Sequence, residues 1–217
     1  MTVTVFQSMQ FPDPPYDMWV RGELAEYLNV PDDGTRVEII GGQVIVSPGP
    51  SVGHNIIVRA IVRAFIAAEV QDDTFPWRTL EVTDLKVPEI ADGYIPDLIV
   101  LEDDVLRDAG QTDLPHLSSR HVDLAVEVTS RTTVRHDREP LSLGVGATKW
   151  TGYAQGGIPF YLLVDRDPAI SQITLFAGPD RKHGIYMPVR SWSFGETVDL
   201  PDPFKVTIPT DEWRTWS

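Results

Sequence analysis

The chain has 217 residues, a formal net charge of −14, 42% hydrophobic and 23% charged residues, and no cysteine. Its length and balance suit one globular domain with a buried core; they exclude a disordered chain, a disulfide framework and a thiolate metal site, so any metal must be held by oxygen or imidazole ligands. The acidity opposes broad affinity for phosphate backbones, and no run of apolar residues reaches the roughly 20 needed to cross a bilayer, so a cytoplasmic location without membrane contact is expected.

Residues 1–16 carry three prolines and little periodicity, which predicts an arm ahead of a single domain over 17–217. Asp17 to Leu28 predicts a short amphipathic helix that ends before Pro31. Two β-rich runs, Val37 to Ile40 and Gln43 to Val46, flank Gly41-Gly42 and predict a hairpin. Ser51 is placed to cap a helix whose apolar residues, Ile57, Val58, Ile61, Val62, Phe65 and Ile66, recur at three- and four-residue intervals. Strands are predicted at Trp77 to Val82, Ile95 to Leu101 and Val122 to Thr129, with a short helix or turn at Asp103 to Asp108. A helix over Thr148 to Gln155 closes on Gly156-Gly157, and Phe160 to Val164 reads as a strand buried on both faces. The last third alternates strand runs at Ser171 to Ala177, Ile185 to Val189 and Glu196 to Leu200 with turns.

Two acids stand where acids are costly. Asp97 adjoins the apolar run Leu98-Ile99-Val100, and Glu127 interrupts Leu124-Ala125-Val126 and Val128. A buried, unpaired carboxylate costs several kcal/mol, so each needs a cation, a donor or a metal ion. Strand alternation puts Asp123, Ala125, Glu127 and Thr129 on one face and Val122, Leu124, Val126 and Val128 on the other. A sheet-edge Glu in an ion pair and a Pro-Asp turn are the plain alternatives for each acid taken alone. Their occurrence together points to chemistry. The pair His136-Asp137 lacks the further histidines of a metal phosphohydrolase, and no Gly-x-Ser-x-Gly turn marks a serine hydrolase.

Around the acids stand Glu38 in the hairpin, Ser47-Pro48 and His54 before a helix, Tyr94 to Leu98, Leu124 to Ser130, and a run from Lys149 through Tyr153-Ala154 and Gly157-Ile158-Pro159 to Asp165. In order and spacing this set resembles the Uma-two family, a bacterial group with a restriction-endonuclease-like fold, from about residue 23 to 168. The resemblance implies an α/β fold with a restriction-endonuclease-like core of the PD-(D/E)XK type: a mixed central β-sheet flanked by helices, with an N-terminal hairpin and a C-terminal β-rich extension. It also implies a metal-dependent endonuclease in which Asp97 and Glu127 bind Mg²⁺ or Mn²⁺ and a lysine assists the attacking water. The expected partner is then nucleic acid, DNA first, and a homodimer is a further expectation of the same kind.

One element departs from that superfamily pattern. The residue two after Glu127 is Thr129, not lysine, and Lys149 at the start of the following helix is the replacement the resemblance implies. The segment between Asp137 and Lys149, with Pro140, Gly144 and Gly146, is longer than the family spacing. Glu38, His54 and Asp137 are accessory candidates, while Tyr153 and Tyr161 read as core. Arg131, Arg135, Arg138 and Lys149 offer a local basic rim against the acidic whole. The competing reading is a nuclease-like domain that has lost catalysis and serves as a binding or regulatory module.

Overall fold

Alternation along three buried strands divides the core in two. Leu98, Val100, Leu124, Val126, Val128, Leu162 and Val164 face one hydrophobic cluster, while Ile99, Leu101, Ala125, Tyr161 and Leu163 face another. Residues 3–6, 9–141 and 146–217 are described by a computed structural model; Gly144 lies outside them.

The elements in chain order are β1 (Thr4–Phe6), α1 (Pro15–Val20), α2 (Glu23–Tyr27), β2 (Arg36–Ile40), β3 (Gln43–Ser47), α3 (Val52–Gln71), β4 (Trp77–Glu81), β5 (Leu85–Val87), β6 (Asp92–Tyr94), β7 (Leu98–Glu102), α4 (Asp103–Gln111), β8 (Leu117–Ser118), β9 (Leu124–Val128), α5 (Val134–Asp137), α6 (Lys149–Gly156), β10 (Phe160–Asp165), β11 (Gln172–Asp180), β12 (Ile185–Ser193), β13 (Val198–Asp199) and β14 (Thr207–Ile208). One six-stranded sheet runs β12-β11-β10-β9-β7-β4 and a second runs β1-β3-β2-β6-β5-β8, with β13 and β14 as a separate pair. Both large sheets are mixed: β9 and β10 are parallel in the first, β5 and β8 in the second, and the other pairings are antiparallel.

Helix α3 covers one face of the first sheet with Ile57, Val58, Ile61 and Phe65, and its start is capped by Ser51, whose side chain accepts from the His54 N–H. Helix α6 covers the opposite face with Trp150, Tyr153 and Ala154, against Leu85 and Val87 of the second sheet. Each large side chain sealed this way contributes about 1.5–3 kcal/mol relative to exposure. The helix starts on the Thr148 hydroxyl and stops at Gly157, in the left-handed conformation at φ +77°.

The hairpin forms in the expected register, with Ile40 opposite Gln43 across the two-glycine turn, and it belongs to the second sheet. Three expectations need correction. The arm is not wholly irregular, because residues 4–6 pair antiparallel with β3. The stretch from Asp17 to Leu28 is two short helices, divided at Gly22, whose φ of +74° no α-helix accepts. Asp97 precedes its strand instead of lying within it: Pro96 has no N–H for a ladder, and β7 begins at Leu98.

Candidate active site

The two acids become neighbours because β7 and β9 pair antiparallel with Leu98 opposite Val126. Asp97 then sits beside the end of β9, and its Oδ2 accepts the Val128 N–H at 2.9 Å. Its Oδ1 receives Arg36 at 2.6 Å, from β2 of the other sheet. His54 Nε2, from the first turn of α3, lies 3.0 Å from the same oxygen. Neither ring nitrogen of His54 is aligned for a hydrogen bond with a described residue.

Lys149 opens α6 and is 4% exposed, so its ammonium is committed to the interior. Its Nζ lies 3.0 Å from Glu127 Oε1, 3.1 Å from Glu38 Oε1 and 3.6 Å from Asp137 Oδ1. Thr129, at the usual lysine position, is engaged elsewhere: its hydroxyl accepts the Arg166 N–H at 2.9 Å and donates to Asp165 at 3.3 Å. Lys149 therefore reaches the strand acid from a helix. Glu38 also accepts the Ile95 N–H, which ties the hairpin to the segment before Asp97.

Every sequence candidate is thus in one place. Asp97, Glu127, Lys149, Glu38 and His54 line a single cavity of about 430 Å³, and Asp137 is buried behind Lys149. Two neighbours escaped the sequence reading. Arg36 carried a usable signal, since it stands two residues before Glu38 and so shares its strand face. Tyr153, read as core, is indeed buried, yet its O–H donates to Glu127 Oε1 at 2.5 Å; its recurrence four residues after Lys149 on α6 gave the clue. Tyr161 is core and donates to the Asp137 carbonyl. Of the basic rim, Arg131 lines the cavity, whereas Arg138 pairs with Asp165 and Asp167, and Arg135 and His136 line a different cavity.

Charge explains how the cluster survives burial. Four carboxyls (Glu38, Asp97, Glu127, Asp137) face two permanent cations, Arg36 and Lys149. Burial alone would raise Asp97, but His54, Arg36 and Lys149 hold it well below the usual carboxylate range. Burial pushes Lys149 down, and the carboxyls around it outweigh that and keep its ammonium charged. Glu127 goes the other way, raised by burial and by three neighbouring acids against one shared ammonium. Lys149 stays charged and Glu127 is the acid that resists ionisation, because the acids of the cluster outnumber its permanent cations.

Burial likewise raises Asp137 to about 6. An acid whose folded value exceeds its unfolded one stabilises the fold at low pH and loses that contribution as pH rises through the folded value. Stability to urea is therefore expected to fall between about pH 4 and pH 6, and Asp137→Asn to flatten that slope, a comparison that unfolding curves across the range measure directly. Asp97, shifted downwards, acts only at the acid end, where its contribution disappears as pH falls below its unfolded value.

The donors here are hard carboxylate oxygens, which suit Mg²⁺ or Mn²⁺, and one of them, Asp137 Oδ1, is buried without a hydrogen-bond partner among the described residues. The cluster holds four carboxyls against the two permanent cations Arg36 and Lys149. As the side chains stand, the protein's own cations occupy the acids, and no three His, Asp or Glu residues among those described converge into a ready-made cation seat. The donor chemistry fits a divalent ion; Arg36 and Lys149 must share the acids with it.

A family model, Uma2, matches residues 24–211 and carries the description "Putative restriction endonuclease". The chain belongs to the Uma2 family. Its restriction-endonuclease-like architecture agrees with a solved structure titled as a "putative nuclease belonging to DUF820" from Anabaena variabilis, to which this Uma2 chain is 16% identical, with a TM-score of 0.55 over 83% of this chain and 89% of that one. At that identity the likeness concerns the fold. No curated protein sequence matches the chain. No helix among the described residues is long and apolar enough to cross a membrane.

Proposed function

We propose that this Uma2 protein is a metal-dependent endonuclease that hydrolyses phosphodiester bonds in nucleic acid, DNA first, with Asp97 and Glu127 holding Mg²⁺ or Mn²⁺ and Lys149 completing the site. One observation carries the reading: Lys149 brings an ammonium to 3.0 Å from Glu127, restoring from α6 the cation that Thr129 does not supply. A divalent ion bound there would polarise the phosphate and lower the pKa of a water. The chain's own residues do the rest. Arg36 and the Val128 N–H fix the Asp97 carboxylate, the Tyr153 O–H fixes Glu127, and Lys149 holds the attacking water or the charge that develops on the phosphate. Glu38 and His54 support that arrangement from the cavity wall, and Asp137 does so from behind Lys149.

A second reading, a binding or regulatory module without turnover, draws on the engagement of both Asp97 oxygens and of Glu127 Oε1 by protein groups. Incubating the purified chain with single-stranded, duplex and branched DNA and with RNA, with Mg²⁺, Mn²⁺ or EDTA, separates the two. Metal-dependent cleavage is the expected result. Absence of cleavage of all four substrates, with no rise in melting temperature at millimolar metal, leaves the module.

A further inference from the structure

Arg166 differs from Arg36 and Lys149, the buried cations beside the acids, in having no acid among the described residues. It follows β10 directly, is 5% exposed, and lines the same cavity as Asp97 and Glu127. Its backbone and Nε are fully engaged: the N–H donates to Thr129 at 2.9 Å, the carbonyl accepts the Trp216 N–H at 3.1 Å, and Nε donates to the Arg214 carbonyl at 3.1 Å. The two terminal nitrogens, Nη1 and Nη2, make no hydrogen bond or ion pair with any described residue. Arg36 has Asp97 and Lys149 has three carboxyls, whereas the guanidinium of Arg166 is secured by its stem with its fork left free. Burial without a facing carboxylate draws its pKa below the ordinary arginine value. A largely buried guanidinium whose free fork opens on the cavity is placed to receive an anion there.

The fork ends at the start of a long helix. Nη2 lies 2.9 Å from where a Cβ on Gly53 would stand, so the absence of a side chain at Gly53 is what admits the guanidinium. Gly53 is the second residue of the 20-residue α3. The Val52 and Gly53 amides make no hydrogen bond with any described residue, and they lie at the positive end of the helix dipole. The hydroxyls of Ser51, Ser130 and Thr132 border the same cavity. A planar two-pronged donor beside free helix amides and hydroxyls suits a tetrahedral oxyanion, which accepts from several directions at once.

We propose that Arg166 and the first turn of α3 form a phosphate-holding subsite in the wall of the cavity, which grips a backbone phosphate of the nucleic acid next to the one presented to the acid cluster. Arg166 is then a positioning residue. The inference rests on the endonuclease reading above and deepens it. It also explains how a chain of net charge −14 can hold a polyanion: attraction comes from one shielded fork and a helix terminus instead of a basic surface.

The test uses the full chain in EDTA, so that binding is read without turnover, with a short fluorescein-labelled DNA oligonucleotide titrated at several NaCl concentrations and, separately, inorganic phosphate followed by calorimetry. Arg166→Gln is expected to weaken both by about ten-fold and to reduce the salt slope by about 0.7 to 0.9, the signature of one phosphate contact. Arg166→Lys should recover part of the loss. Gly53→Ala, which pushes on Nη2 and leaves the arginine in place, is expected to weaken binding as well and serves as the readout if Arg166→Gln does not fold. Asn55→Ala, exposed on the same helix, should bind as the wild type does. Unchanged affinity and slope in a folded Arg166→Gln, or in Gly53→Ala if that arginine variant fails to fold, would overturn the proposal, as would a wild type that binds neither probe. The endonuclease reading fails separately: phosphate binding that depends on Arg166, with no hydrolysis of any nucleic acid, leaves the subsite standing alone. Hydrolysis by the wild type with KM unaltered in Arg166→Gln sinks the subsite and spares the enzyme.

Discussion

Lys149→Met should destabilise the protein by about 3–5 kcal/mol at pH 7, the loss expected when one member of a buried ionic cluster is removed and its partners are left uncompensated. Three carboxyls, of Glu38, Glu127 and Asp137, would face one another with no ammonium between them. The deficit should shrink at pH 5, because carboxyls already raised by burial take up protons there and cease to repel. Urea unfolding of both proteins at the two pH values measures it. An equal loss at both would mean that Lys149 acts through packing of its chain and not through charge. Nucleic-acid hydrolysis by any folded fraction of the variant should also be lost, and cleavage that survives would remove Lys149 from the mechanism.

Asp97→Asn is the second large effect, and it is read as hydrolysis and metal binding by the folded variant. The amide keeps the shape and can still accept the Val128 N–H, so the strand pairing of β7 with β9 has no reason to change. The anion that Arg36 and His54 face disappears, and with it one of the two oxygen donors proposed for the divalent ion. Hydrolysis should fall by at least about a hundred-fold, the scale on which one preformed electrostatic contact at a reacting phosphate acts. The melting-temperature rise that Mn²⁺ or Mg²⁺ gives the wild type should vanish in the same variant. A rise that persists in Asp97→Asn, and equally in Glu127→Gln, would place the ion elsewhere in the molecule.

The two acids were legible in sequence because burial makes a carboxylate conspicuous: nothing else in Leu124 to Val128 is polar, so Glu127 announces that something must neutralise it. The helices with clean periodicity and caps, α3 and α6, were legible for the same local reason. What escaped the reading was long-range. Arg36 lies 61 residues from the acid it pairs with, and no local pattern connects a hairpin in one sheet to a turn before a strand in the other. The division into two sheets was hidden too, since β5, β6 and β8 are only two or three residues long and leave almost no periodicity to read. Arg166 was invisible because its distinguishing feature is a missing partner, and partners are a property of the folded chain.

The site straddles both sheets: Glu38 and Arg36 come from β2, Asp97 from the residue before β7, Glu127 from β9, and Lys149 from the helix between the layers. Either layer could regain its own strands on refolding without bringing these groups together. Contacts between residues far apart in sequence are generally slow to form, because a long loop must close before they return anything. Recovery of the acid cluster on refolding therefore requires the two layers to dock, which recovery of far-ultraviolet ellipticity alone does not report.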